Sequence, residues 1–223
     1  MSRSAFLAIA GWSTLLPALA SGQVLNAKLE SGQTAMRAVC VMPVEASWTK
    51  VVLMAREPRS KEAEEWSARL WPVIVEAIGR AGAQDASGAI APAALSKDDN
   101  VRQVVLQLQR KFDAMATLVN GHSGGIKRGR FSLGDEVALA PCAANADALL
   151  FVRGKVSVPL VPRFSQTALQ LTFVDARSGE VLAQDAISTL NDDFLKNPKE
   201  AYLDILVKRF RGMRLGSPSR NVK

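Results

Sequence analysis

The sequence predicts an α+β fold: one mixed sheet with a C-terminal β-hairpin, and helices packed on it. Helical apolar spacing fills residues 58–82 and 96–120 as a block, and strand-type patterns follow from 148 to 187. The chain has 223 residues, 48% hydrophobic and 22% charged, which suits one globular domain with an ample core and excludes a disordered chain.

The elements follow in order. Residues 1–20 read as a secretory signal peptide. Arg3 supplies the positive start, residues 5–16 carry no charge, Pro17 breaks the run, and Ala18-Leu19-Ala20 sets up cleavage after Ala20. The apolar run is too short for an ordinary membrane span. No cysteine follows it directly, so a bacterial lipid anchor is not expected. Residues 21–36 read as a linker, 37–212 as a single α/β domain, and 213–223 as a disordered basic tail.

Within the domain, residues 39–44 and 51–54 read as short strands. Pro58 opens a helix whose apolar face is Trp66, Leu70, Val73, Ile74, Ala77 and Ile78, with Pro72 expected to kink it. Residues 83–95 read as loop. Ser96 and Asp99 start the next helix as a weak capping box, and Val101, Val104, Val105, Leu108, Phe112, Met115 and Val119 form its stripe. Residues 121–130 read as a Gly-rich basic loop, and Ser132 and Asp135 signal a short helix cut by Pro141. Residues 148–152 are uniformly apolar, as in a strand covered on both faces. Leu169, Leu171 and Phe173 alternate with polar residues, and 175–179 have turn chemistry before a partner strand at 181–187. Asn197, Pro198 and Glu200 cap a last helix ending at Gly212.

The net charge is +7, and only Arg3 leaves with the first 20 residues, so the remainder carries +6. A basic exported chain meets anionic lipid or peptidoglycan rather than nucleic acid. Gly121-His122-Ser123-Gly124-Gly125 fits the G-x-S-x-G nucleophile elbow. That elbow needs a strand before the serine and a histidine later in the chain. A helix is expected before Ser123, and His122 is the sole histidine. The hydrolase triad is therefore not expected, and no catalytic residue is assigned. The same loop offers glycines with Lys127, Arg128 and Arg130 as a candidate anion site, though without a P-loop ending. One histidine and two distant cysteines make no metal pattern, and no cofactor is expected. Acid pairs such as Asp98-Asp99 suit helix starts, and Asp147 and Asp175 suit local turns. The C-terminal cations from Lys208 onward suit a solvated tail. Cys40 and Cys142 stand 102 residues apart in a chain expected to reach an oxidising compartment. A bridge or two buried thiols are both open.

Three segments resemble a known group. Val41-Met42-Pro43-Val44 precedes the first long helix, Ala146-Asp147-Ala148-Leu149-Leu150-Phe151-Val152 enters a buried strand, and residues 173–182 run Phe-Val-Asp-Ala-Arg-Ser-Gly-Glu-Val-Leu. Together, over residues 39–188, they are similar to bacterial envelope domains of the Tol-translocation-protein N-terminal type. Related folds occur in curli-secretion subunits and lipoprotein activators of penicillin-binding proteins. The resemblance implies an α/β sandwich that binds envelope proteins without catalysis. It implies no named partner-binding residue. This chain lacks the lipid-attachment cysteine of many members and has no long hairpins for a pore. If the strands at Cys40 and after Cys142 are parallel neighbours, as that fold implies, a disulfide is feasible.

The expectation is thus an exported, periplasmic or secreted, non-enzymatic domain whose partners are envelope proteins. A hydrolase using Ser123 and a basic domain adhering to anionic lipid or peptidoglycan are the alternatives.

Overall fold

The structure is a computed structural model that describes residues 22–52, 55–119, 122–159, 165–190 and 193–217. The expected signal peptide at 1–20 lies outside the described residues. The chain order is β1 (Val24–Leu25), α1 (Ala27–Ser31), β2 (Ala38–Val41), β3 (Glu45–Val52), β4 (Ala55–Pro58) and α2 (Ser60–Ala81). Then come β5 (Gln84–Asp85), α3 (Pro92–Leu95), α4 (Asp99–Val119) and α5 (Ser123–Lys127). The chain ends with β6 (Ala148–Pro159), β7 (Gln166–Asp175), β8 (Val181–Leu190), α6 (Asp193–Lys196) and α7 (Pro198–Gly212).

All eight strands join one mixed sheet in the order β1-β8-β7-β6-β2-β5, with β3 also beside β6 and β4 beside β3. The fold is therefore α+β. Strands β6, β7 and β8 form the antiparallel centre, and β2 and β3 run parallel to β6. Pro43 explains why β2 and β3 are separate. It has no N–H to give the ladder. The Met42 N–H still donates to the Leu150 carbonyl at 2.9 Å, and pairing resumes at Glu45 opposite Arg153.

Side chains of β6 alternate between two hydrophobic layers, as the strand period requires. Leu150, Val152 and Val156 pack with Trp66, Leu70 and Ile74 of α2 and with Tyr202, Leu206 and Phe210 of α7. Leu149 and Phe151 face the other way, toward Val105, Leu108 and Phe112 of α4. The Phe112 and Phe151 rings stack at 4.4 Å, and the Phe173 and Phe210 rings meet edge-on at 5.8 Å. The apolar stripes expected on α2 and α4 are the buried faces of those helices.

Several boundaries differ from the sequence expectation. Residues 21–36 are not a linker in the described part. Strand β1 pairs antiparallel with β8, and Leu29 of α1 is buried. The Asn26 side chain caps α1 by accepting from the Lys28 N–H at 2.8 Å, and Gly32 ends it in the left-handed conformation. The tail is ordered as far as described: Met213 and Leu215 are buried, and Leu215 bridges to Met36. Residues 218–223 lie outside the described residues. Residues 83–95, expected as loop, hold β5, a 3-10 turn at Ser87–Ile90, and α3. Asp98, rather than Ser96, caps α4 by accepting from the N–H groups of Asn100 and Val101. Asp147 does more than serve a local turn. Its carboxylate accepts from the N–H groups of Arg37 and Ala38 at 2.9 and 3.0 Å, tying the start of β2 to the start of β6.

Candidate functional site: an apolar groove beside α2

A concave site lies where the β2–β3 break meets the first half of α2. It encloses about 380 Å³. Pro43, Val44 and Ala46 form its sheet wall, Ala63, Ala68 and Trp71 its α2 wall, and Pro92 its outer edge. Ser60, Glu64 and Ser67 put a polar margin on it. The sequence builds this shape locally. Pro43 pulls the chain out of the ladder, and Pro92 begins α3 at its first turn, where its missing N–H costs nothing.

Two features make the groove a prepared surface. The Trp71 ring is half-buried, and its indole N–H donates to the Val41 carbonyl at 3.4 Å, which fixes the ring against the sheet. Pro72 sits inside α2 and has no N–H for the Ala68 carbonyl, which lies four residues earlier on the groove wall. The groove thus combines a fixed aromatic, two prolines and a few polar groups, the composition of a contact site for another chain. The helical stripe read from the sequence omits Trp71, and the groove escapes it because the other walls come from residues 43–46 and 92.

Ser123 is the exposed first residue of α5. The five-residue α5 corrects the expectation of an irregular loop. α4, not a strand, precedes it, so the nucleophile-elbow geometry is not formed. Lys127, Arg128 and Arg130 are exposed, and none makes an ion pair among the described residues. The backbone N–H groups around them are spent inside the turn. Gly125 donates to His122, Gly129 to Ile126, and Arg128 and Arg130 both to Gly125. The glycines serve packing: a side chain on Gly125 would strike Phe131, and one on Gly129, at φ +63°, would strike Glu180. Any anion held here would meet side-chain cations and not a backbone cradle.

Among the described residues, three of the C-terminal cations are engaged within the fold. Arg209 lies 3.6 Å from the Asp185 carboxylate, Arg211 donates to the Arg80 carbonyl at 2.9 Å, and Arg214 donates to the Glu30 carbonyl at 2.7 Å. Asp185 is buried on β8, and burial pushes its carboxyl above the ordinary range against the pull of Arg209, the Ala186 N–H and Gln23. Tyr202 donates to Thr167 Oγ1 at 2.7 Å, and burial pushes its hydroxyl up to about 12.

Cys40 and Cys142 are joined in a disulfide with Cα atoms 6.1 Å apart, and both residues are buried. The parallel pairing of β2 with β6 brings Cys40 opposite Leu149, close to the turn that carries Cys142. Among the described residues, no cluster of three or more His, Cys, Asp or Glu could hold a metal ion. Among the same residues, no helix is long and apolar enough to cross a membrane.

Fold and site together define a class: a disulfide-stapled α+β domain with an open apolar groove at a break in its sheet. No family model and no curated protein matches the chain, so the resemblance to the Tol-type group rests on its short motifs. Among solved structures, the chain is similar to the crystal structure of the lipoprotein GNA1162 from Neisseria meningitidis. The identity is 14%, over 76% of this chain and 96% of that one, with a TM-score of 0.34. A likeness of that size carries no argument about function.

Proposed function

We propose that this protein is an exported, non-enzymatic domain of the bacterial envelope that acts by binding another envelope protein through the groove beside α2. The observation that carries the reading is the groove itself: Trp71 fixed against the sheet, flanked by Pro43 and Pro92, with exposed Ala68 on its wall. Interfaces concentrate their energy in such aromatic, partly desolvated pockets rather than in exposed charges. The signal pattern at residues 1–20 and the Cys40–Cys142 disulfide support export, since structural disulfides persist outside the cytosol. The engagement of Arg209, Arg211 and Arg214 within the fold reduces the charge free for adhesion to anionic polymers.

Affinity capture from envelope extract at moderate salt tests the reading. Ala68 is exposed on α2, so Ala68→Arg fills the groove without disturbing the core. The expected outcome is a specific protein partner retained by the wild type and lost by Ala68→Arg, while reversal of Lys127, Arg128 and Arg130 changes nothing. Retention of lipid or peptidoglycan alone, lost with salt and with that charge reversal, would replace the groove reading with electrostatic adhesion.

A further inference from the structure

We propose that Glu45 and Asp113 form a pH-sensitive clasp between the sheet and α4, closed by one proton held between the two carboxyl groups. Glu45 opens β3 directly opposite Arg153 on β6. Arg153 lies two residues beyond Phe151, on the face that α4 covers. Phe112 of α4 stacks on Phe151, and Asp113 is its neighbour. One turn earlier, the Gln109 side-chain amide donates to the Pro43 carbonyl at 3.0 Å. Three adjoining contacts thus hold α4 at the place where β2 gives way to β3.

The polar contact among them needs a proton. Asp113 Oδ1 is buried and lies 3.2 Å from Arg153 Nε, but no N–H is aimed at it, so that pair is an attraction of charges without a directed hydrogen bond. Glu45, the register partner of Arg153, thus brings a second carboxyl group to the guanidinium that Asp113 already faces. Two carboxylates side by side cannot both ionise without mutual repulsion, and a carboxylate has no hydrogen to donate. One retained proton supplies the missing donor and balances the charge, leaving one carboxylate against one guanidinium.

The charged groups facing Glu45 are Asp113 from α4 and Arg153 from β6. α2 packs on the opposite face of β3, and β4 pairs with β3 only from Thr49 onward, so neither brings a charge to bear on Glu45. Burial first, and the neighbouring Asp113 second, push the Glu45 carboxyl up to about 7, against the pull of Arg153. The folded value lies above the ordinary 4.5, so the clasp is fully closed below that value and opens as pH rises through about 7. On opening, Asp113, part of which already faces water, turns outward and Arg153 stays with Glu45. The second half of α4 is then held by Phe112, Gln109, the Lys111–Glu136 ion pair and the apolar stripe.

Carboxyl-carbon NMR on the disulfide-bonded protein, with amide exchange of α4 across the same pH series, tests the clasp. Glu45 is expected to titrate near 7 in the wild type. In Asp113→Asn, which removes a charge and offers an amide N–H, its proton affinity should fall about tenfold or more, one unit of midpoint. Protection of residues 109–119, corrected for intrinsic exchange, should drop through that midpoint in the wild type and stay level in Glu45→Gln. A wild-type Glu45 titrating with the ordinary carboxylates, at roughly pH 4 to 5, would overturn the proposal. So would a midpoint unmoved by Asp113→Asn, or an equal loss of protection in Glu45→Gln. If Glu45→Gln fails to fold, the wild-type and Asp113→Asn titrations still decide.

Discussion

The two faces of the sheet are built differently. On one, two long helices, α2 and α7, lay Trp66, Tyr202 and Phe210 onto β6, β7 and β8, with the polar pairs Tyr202–Thr167 and Arg209–Asp185 joining α7 to the sheet. On the other, α4 covers Leu149 and Phe151 alone among long helices, and the remaining cover is α5 and short turns around Val137 and Ala143. Short 3-10 turns bury little area each and lose much chain entropy when ordered. That second face is where the disulfide and the Glu45–Asp113–Arg153 cluster sit. The contrast teaches that two long amphipathic helices supply most of a layer's area themselves, whereas a layer made largely from turns is also pinned by a covalent bridge.

Reduction of the Cys40–Cys142 bridge is the largest expected way to break this contrast. It closes a loop of 102 residues, for which the chain-entropy model gives roughly 4–5 kcal/mol. Urea unfolding with and without reductant should show a loss of that order. Amide exchange should place the opening first in residues 133–146 and α4, while α2 and α7 stay protected. Uniform loosening of both faces would show that the bridge supports the whole domain and not one layer.

Gly154→Ala probes the opposite layer and carries a smaller effect. A side chain there would run into the Trp66 ring, which is fully buried against β6. Overpacking of this kind typically costs about 1–3 kcal/mol. The shift in unfolding midpoint should be insensitive to reductant, since the strain lies on the face without the bridge. A neutral Gly154→Ala would mean that the α2 layer has slack and is not the close-packed half of the molecule.

The long periodic elements were legible because their signal is local. The stripes of α2 and α4 and the alternation across 169–187 each report burial within one stretch of chain. The short elements were not. β1 and α1 escaped because Asn26, Lys28 and Glu30 look solvated, and the pairing of Val24 with Gln184 is set by a partner far along the chain. The cap-and-stop signal, Asn26 before the helix and Gly32 after it, was present and could have found α1. Leu215 could not be read as buried because its contact, Met36, lies at the other end of the domain. Glu45 gave no sign at all. An isolated glutamate two residues after a proline reads as a surface residue until the fold brings Asp113 and Arg153 to it. The groove was hidden for the same reason: Pro43, Trp71 and Pro92 come together only in the fold.

The central claim is that the groove, and not the basic turn, is the binding surface. A photo-crosslinking amino acid placed at position 68 and, separately, at position 128 of the exported protein tests it most directly, because both positions are exposed and neither belongs to the core. The account predicts a discrete protein adduct from position 68 and none from position 128. An adduct from position 128 alone, or no protein adduct from position 68 under conditions where the protein is folded and exported, would contradict it.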